Sequence, residues 1–371
     1  MSFFRRFAKR IFISINIGFA ILFLLGAYVI YFDSARWWFL GLLTLGLPYL
    51  FLVLFIFFII WLLARKSWAL ISLFAMALAW TSIRNIIPFN LSSSFNMQKD
   101  SGSLRVLDWN IEHFDILDHK THPEIKQQML DLINEYNPDV ACFQEMVGSE
   151  KPTAINYVPD IASRLKFTDY YYAFEPRWNY DQDHHFGILI LSKYPIIKKQ
   201  MISKYPYDYN SIFEYVDLLV NGDTVRLFNI HLQSLRFTGS NLNYLNNPTF
   251  NGDSDIVESK TIISKLKKGF LKRSVQADNI KLSIDSSTYP VIVCGDFNDV
   301  PNSYAYSIIG AGLQNAFVQK GRGIGRTFTG ISPTLRIDNI FVDKRFKITQ
   351  FSRKPVKLVD HFPIVADIKL K

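Results

Sequence analysis

The chain has 371 residues, 49% of them hydrophobic, a formal net charge of +9 and two cysteines. That length suits one large domain or two small ones, and so few cysteines exclude a disulfide-stapled scaffold. Eight of the 41 Lys/Arg but only one of the 32 acids lie in residues 1–90. Residues 91–371 therefore carry only about +2, and the basic excess is weak evidence for a nucleic-acid surface.

Ile11–Tyr31 is a run of about twenty apolar residues without a charge, long enough to cross a bilayer as a helix. Trp38–Leu63 is a second such run, interrupted by Pro48, with Trp and Tyr near its ends as interfacial anchors. A third, at about 67–83, has a shorter charge-free core and reads either as a span or as a re-entrant or interfacial helix. Two further hydrophobic runs after the first argue against a cleaved signal peptide. Arg5, Arg6, Lys9 and Arg10 precede the first run, and Arg65 and Lys66 separate the second from the third. The positive-inside rule puts both groups in the cytoplasm, so three spans deliver residue 91 onward to the outer side and two leave it inside. The expectation is an integral protein of a bacterial inner membrane, residues 1–90 forming the anchor and the rest periplasmic.

Residues 91–103, rich in Ser and Asn, read as a linker. Leu104–Trp109 is a short apolar strand ending at Asn110, with Glu112 two residues on. His122–Tyr136 has helical spacing, stopped by Asn137-Pro138. Val140–Phe143 is a buried strand running into Gln144-Glu145, Ile155–Leu165 a helix, and Tyr170–Phe174 a strand ending at Glu175. His184 and His185 read as a polar loop before the strand Gly187–Leu191. Phe213–Val220 and Thr224–Ile230 flank Asn221-Gly222 as a hairpin. Asn241–Asp255 reads as a mobile loop. Val257–Ile284 is a basic amphipathic helix whose lysines and Arg273 suit a solvated face. Tyr289–Cys294 is a strand running into Gly295-Asp296-Phe297-Asn298. Arg336–Val342 and Ile364–Ile368 complete the strands. Cys142 and Cys294 fall in core strands as small buried hydrophobes. Intermixed strands, hairpins and helices predict an α+β domain over 104–371, with two packed sheets flanked by helices.

Several strands thus end in carboxylates, carboxamides or imidazoles. The motifs Trp109-Asn110-Ile111-Glu112, Phe143-Gln144-Glu145, Asn229-Ile230-His231, Gly295-Asp296-Phe297-Asn298, Arg336-Ile337-Asp338-Asn339-Ile340 and Asp360-His361-Phe362-Pro363 occur in that order. In this the chain resembles the endonuclease/exonuclease/phosphatase superfamily over about Leu104–Lys371. The resemblance implies a deoxyribonuclease I-like four-layer sandwich that hydrolyses phosphoester bonds with Mg²⁺, or with Mn²⁺. It implies metal-side roles for Asn110, Glu145 and Asp360, while Glu112 reads equally as a further ligand or as a solvent-exposed acid. His361 would contact the scissile phosphate with Asp338 orienting its ring. Asp296 would orient or deprotonate water, and Asn298 would hold a phosphate oxygen. His231 would act as acid or phosphate contact, with Glu175 as its carboxylate partner. Asn229 and Arg326 would add substrate contacts, although the glycines around Arg326 also suit a plain turn.

The shared motifs do not choose a substrate. A near-neutral domain argues against tight, non-specific duplex binding, and a membrane tether suits a lipid headgroup or an exported nuclease alike. The Glu175–His231 pair tips the expectation towards a nuclease-like phosphodiesterase. A phospholipid, sphingomyelin or inositol-phosphate phosphoesterase is the alternative. A catalytically inactive binding module is a remote one, disfavoured by the presence of Glu145, Asp296 and His361. A channel or transporter is excluded because the hydrophobic runs contain no acid.

Overall fold

Two-residue alternation builds the chain after Leu104. The computed structural model describes residues 3–91, 94–115, 122–202, 211–247 and 252–371. Among the described residues, strands form two six-stranded sheets. The first contains β1 (Leu104–Asn110), β2 (Val140–Gly148), β3 (Asp169–Asn179), β4 (His185–Ser192), β11 (Phe346–Arg353) and β12 (Ile364–Leu370), in the order β11-β12-β1-β2-β4-β3. The second contains β5 (Ile196–Met201), β6 (Phe213–Val220), β7 (Asp223–His231), β8 (Val291–Asp296), β9 (Gln314–Asn315) and β10 (Asp338–Val342), in the order β5-β6-β7-β8-β10-β9.

Each sheet is centred on a parallel pair, β1–β2 and β7–β8, which requires a long crossover. The first crossover is α6 (Pro123–Tyr136); the second is α8 (Gly239–Asn246) with the 33-residue α9 (Asp253–Asp285). Asn241–Asn246, expected as loop, is therefore helical, because Thr238 and Asn241 form a reciprocal capping box; residues 248–251 lie outside the described set. Val106, Cys142, Leu227, Ile292, Cys294 and Ile340 belong to one apolar layer between the sheets. The alternate residues face outwards, Leu107, Trp109 and Phe143 towards α6 and α7 (Tyr157–Arg164), and Phe228 and Val293 towards α9 and α10 (Tyr304–Gly310). A short α11 (Ala316–Lys320) packs beside β10 and β11. This is the helix–sheet–sheet–helix sandwich that was expected, and both cysteines are buried and unbridged within it.

The apolar segment folds as α1 (Phe3–Ala27), α2 (Leu40–Leu45), α3 (Leu47–Ala64), α4 (Lys66–Leu78) and α5 (Trp80–Ile86). By length and composition α1 and α3 can cross a membrane, and α4 with α5 reach that length as a pair bent by 70°. The second hydrophobic run breaks into two helices because Pro48, which lacks an N–H, occupies the first turn of α3. Lys9 lies over the Trp68 ring at 5.4 Å, so the N-terminal basic cluster and the Arg65–Lys66 turn share one end of the bundle.

The opposite end docks on the sandwich. Arg336 is buried and donates to the carbonyls of Asn85 and Ile86, capping α5 with a cation where a helix C-terminus favours one. Asn302 donates to the Ser82 carbonyl at 3.0 Å and accepts from Asn85 at 2.9 Å. Gly41 of α2 lies flat on Phe270 of α9, whose ring would be 2.9 Å from a Cβ there. The expected linker is held as well, except Ser92 and Ser93, which are not described. Arg105 donates to the carbonyls of Asn96 and Met97 while forming a bidentate, buried pair with Asp367 at 2.7 and 2.8 Å.

Gly295 closes β8 at φ +144°, and a Cβ there would lie 1.9 Å from the Ile230 carbonyl oxygen of the parallel neighbour. Gly295→Ala is expected to destabilise the chain by about 4 kcal/mol or more; an unshifted thermal unfolding transition would contradict this.

Candidate active site

The alternation that puts Val106, Cys142, Leu227, Cys294 and Ile340 between the sheets also points Asp108, Asn110, Gln144, Asn229, His231, Asp296 and Asp338 into the same layer, nearer one end. These polar groups meet where both parallel pairs terminate; Asn110 is in register with Gln144, and His231 with Asp296.

Asp296, 1% exposed, is the hub. Its Oδ1 accepts the Asn298 backbone N–H at 2.7 Å, and its Oδ2 accepts from Asn298 Nδ2 and Asn110 Nδ2, each at 3.2 Å. His231 Nε2 and His361 Nε2 stand 3.6 and 3.7 Å from the same oxygen. Asn298 reaches back because its backbone is left-handed, φ +49°. The His361 ring is fixed by the Asp338 carboxylate, both oxygens 3.0 Å from Nδ1, so Nδ1 carries the proton and Nε2 faces the cleft. Its backbone is held by Trp109 Nε1, which donates to the His361 carbonyl at 3.0 Å.

Burial pulls the His361 pKa down, but the facing Asp338 and Asp296 carboxylates outweigh it and hold the imidazolium well above the usual histidine range. Burial pushes Asp296 up to about 7, with Asp338 adding to the rise and His361 opposing it. Glu145, Glu112 and Asp360 form the more open side, with the buried Asn110 beside them. A bulge in β2 leaves Glu145 at φ +57° and aims its carboxylate at Asn110 Nδ2, 3.4 Å away, and at His231 Nε2, 3.8 Å away. Glu112 opens four consecutive left-handed residues, Glu112–Asp115, which cost of the order of 1 kcal/mol each. Desolvation, then Asp360 and Glu145, push its carboxyl to about 7. Burial and Asp360 also raise Glu145. Carboxylates crowded this way, with a carboxamide beside them, are a hard-oxygen donor set suited to a divalent cation. Asp296, Asp338 and His361 also lie within 4.8 Å of one another through their donor atoms, but Asp338 and His361 are already bonded to each other.

Three expected residues fall elsewhere. Glu175 pairs with Arg177 at 2.6 Å, which holds its carboxyl below the usual range, and the carboxylates beside His231 are Glu145 and Asp296 instead. Asn229 is fully buried, with both ends of its carboxamide engaged inside the sandwich. Its Nδ2 donates to the carbonyls of Phe143 and Leu189, and its Oδ1 accepts Gln144 Nε2 at 2.8 Å. Arg326 turns back on its own loop, donating to the carbonyls of Phe328 and Thr329. On the basic helix Arg273 departs from the expected solvated face, being buried against Asp299 at 2.9 Å, whereas Lys267 and Lys268 are exposed as expected. His184 is tied to Asp181 and the Ile155 carbonyl, as a loop residue.

Residues that sequence reasoning passed over lie beneath the site. Asp108 and Glu214 are fully buried carboxyls raised well above their usual range by desolvation. Gln144 donates to Asp108 at 2.9 Å, and Asn229 to Glu214 at 3.4 Å. Their inward parity with Val106 and Val216 was the signal available. Thr327 Oγ1 accepts the N–H groups of Ile337 and Asp338, fixing the start of β10.

A family model described as the endonuclease/exonuclease/phosphatase family matches residues 109–361, and one for a domain of unknown function matches residues 9–86. Among solved structures, the human Nocturnin catalytic domain is 17% identical with a TM-score of 0.50, covering 75% of this chain and 100% of its own. Truncated TDP2 from Caenorhabditis elegans is 17% identical with a TM-score of 0.50, over 73% and 100%. An endonuclease/exonuclease/phosphatase family protein from Bacteroides thetaiotaomicron is 16% identical with a TM-score of 0.50, over 74% and 99%. At these identities the likeness is one of fold. No curated protein matches the sequence.

The raised carboxyls fix the sign of a pH effect. Unfolded, Glu112 and Asp296 lose their protons near 4.5 and 3.8; folded and cation-free, they keep them to about 7. The folded chain then binds more protons across that window, so its stability falls as pH rises through it. His361 acts in the same sense, its contribution complete below 6.5 and lost as pH rises through its elevated value. In EDTA, thermal unfolding is expected at lower temperature at about pH 8 than at about pH 5, with Mg²⁺ reversing the loss at the higher pH. A midpoint indifferent to both would contradict the donor set.

Proposed function

Because the chain belongs to the endonuclease/exonuclease/phosphatase family and is thereby a hydrolase of phosphoester bonds, we propose that it is a membrane-anchored phosphodiesterase assisted by Mg²⁺ or Mn²⁺. One observation carries the reading: the Asp296 carboxylate is ringed by Asn110, Asn298, His231 and His361, with Asp338 behind His361. A divalent ion held by Glu145 with Asn110, and by Asp360 and Glu112 at the open side, would neutralise phosphoryl oxygens and stabilise the leaving oxygen.

The chain's own groups supply the rest. Asp296, poised near neutrality, orients a water and accepts its proton. His361, kept cationic by Asp338, donates from Nε2 to a phosphoryl oxygen and offsets its charge. His231 contacts phosphate or protonates the leaving oxygen, and Asn298, whose Nδ2 donates to Asp296 and to the Leu232 carbonyl, would turn one of those donors to a phosphate oxygen. Asn229 is reassigned as a positioning residue, linking Gln144 beside the metal carboxylate to β7. The proposed reaction uses neither Glu175, paired with Arg177, nor Arg326, bonded to its own loop. The nuclease-like leaning rested on a Glu175–His231 pair; without that pair, the function is proposed at the level of phosphodiester hydrolysis.

The anchor is proposed to cross the bilayer three times. α1, α3 and the bent α4–α5 pair each run between the basic end of the bundle and the docked end. The positive-inside rule then puts the basic end in the cytoplasm and the sandwich outside, periplasmic in a bacterial inner membrane.

His361→Ala and Asp296→Asn are expected to lower Mg²⁺-dependent hydrolysis of bis-p-nitrophenyl phosphate by the full chain in detergent by at least about 100-fold. Asp338→Asn is expected to move the alkaline limb of the pH–rate profile to lower pH, since it removes the carboxylate that raises His361. Unchanged rates in the first pair would overturn the assignment. A reporter active only in the periplasm, fused after Lys371, is expected to be active; activity of a cytoplasm-only reporter there would remove the third crossing.

A further inference from the structure

The cleft does not end at the charged groups. A cavity of about 420 Å³ starts at Asn110, Glu145, Asp296 and His361 and continues between apolar walls. Leu242 and Leu245 come from α8, Ile262 and Leu266 from α9, Phe328 from the loop before β10, and Leu45 from α2 of the N-terminal bundle. The bundle thus forms part of the wall of the active-site cavity. Tyr49, at the start of α3, reaches the same rim, its hydroxyl 3.1 Å from Ser332 Oγ.

The surroundings are apolar on the outside too. Leu52, Phe55, Ile59 and Leu63 of α3 are exposed, as the surface of a membrane-crossing helix would be. Ile256, Val257 and Ile263 on α9, next to the wall residues Ile262 and Leu266, are about half exposed. Lys267 on the same helix lies over the Trp38 ring at 5.3 Å, the pairing of cation and aromatic ring found at a bilayer interface. Cations on the wall are Arg273, engaged by Asp299, and Arg236, whose charge acts on Glu145 at the polar end. A polynucleotide, charged at every phosphate, finds little here to replace its water; an alkyl chain attached to one phosphate finds walls on several sides.

We propose that the phosphodiester cleaved at this site belongs to a membrane lipid, drawn from the leaflet on the sandwich side, with its apolar chain lodged between α2, α8 and α9. The proposal rests on the phosphodiesterase reading above. In the reaction a water oxygen bonds to phosphorus, one phosphorus–oxygen ester bond breaks, and the proton lost by water ends on the departing alcohol. The products are one phosphomonoester and one alcohol.

The test uses the full chain in detergent with Mg²⁺ and a series of alkyl p-nitrophenyl phosphates from ethyl to octyl. Second substrates are vesicles of phosphatidylethanolamine and phosphatidylglycerol, set against single-stranded and duplex DNA oligonucleotides. A chain entering the cavity should raise kcat/KM by about threefold to fourfold per methylene until the cavity is filled, and the vesicles should be hydrolysed in preference to either DNA. Leu242→Gln combined with Leu245→Gln, on the peripheral α8, should flatten the chain-length dependence; a melting curve establishes that the variant is folded. A wild-type profile flat from ethyl to octyl, or DNA cleaved faster than vesicle lipid, overturns the lipid proposal and leaves the phosphodiesterase reading standing. No hydrolysis of any ester, the ethyl one included, with either Mg²⁺ or Mn²⁺ overturns both.

Discussion

The structure depends on how polar groups are buried between two sheets. Alternation gives β1, β2, β7, β8 and β10 an inward row that is apolar at one end and polar at the other. An unpaired polar atom in such a layer costs of the order of 1–3 kcal/mol, and the network bonds most of the polar end, while Asp108 Oδ2, Gln144 Oε1 and Glu214 Oε2 keep no hydrogen-bond partner among the described residues. Gln144 joins Asp108 to Asn229, and Asn229 joins three elements of both sheets through two carbonyls and Glu214. Above that layer stand Asp296, His231 and Asn110, each within reach of a neighbour that restricts its rotamer. The reactive groups are therefore the buried upper layer of a packed structure, at the floor of the cleft, which is what holds them to a geometry.

That organisation explains which parts were legible in the sequence. Asn110 and Asp296 at strand ends, Glu145 at the β2 bulge, Asp338 at a strand start and His361 just before β12 are local signals, each a functional side chain beside an apolar run. The structure brings them together, and the sandwich follows from the same runs. Pairings between distant side chains are another matter. Glu175 occupies the expected strand, but an arginine two residues away satisfies it first. Asn229 sits in a motif, yet its parity and the neighbouring carbonyls of Phe143 and Leu189 claim both ends of its carboxamide. Arg273 of α9 reads as part of a solvated face because nothing local marks Asp299 as its partner. α8 was hidden by its asparagines, which are poor helix formers in the interior but good caps at the start.

The N-terminal bundle and the sandwich look separable by composition and are not separable by contact. Their interface is polar at its centre, where Asn85, Asn302 and Arg336 bond across it, and apolar at the side where α2 meets α9. Such an interface specifies orientation: carbonyls at the end of α5 meet one guanidinium, and a rotated bundle would leave both unsatisfied.

Arg336 stands two residues before Asp338, at the start of the strand that delivers the carboxylate behind His361. Its guanidinium is covered by the end of α5 on one side and held by the Ile324 carbonyl and the Phe317 ring, 4.2 Å away, on the other. The scaffold of the catalytic unit thus also draws on residues before the composition change near residue 90. Trimming the chain there would strip the Asn85 and Ile86 carbonyls from a buried cation at the root of the active site, leaving it that of Ile324. A soluble fragment cut at that point inherits a wound in its own scaffold, and inactivity in such a fragment would say nothing about the chemistry of the intact chain.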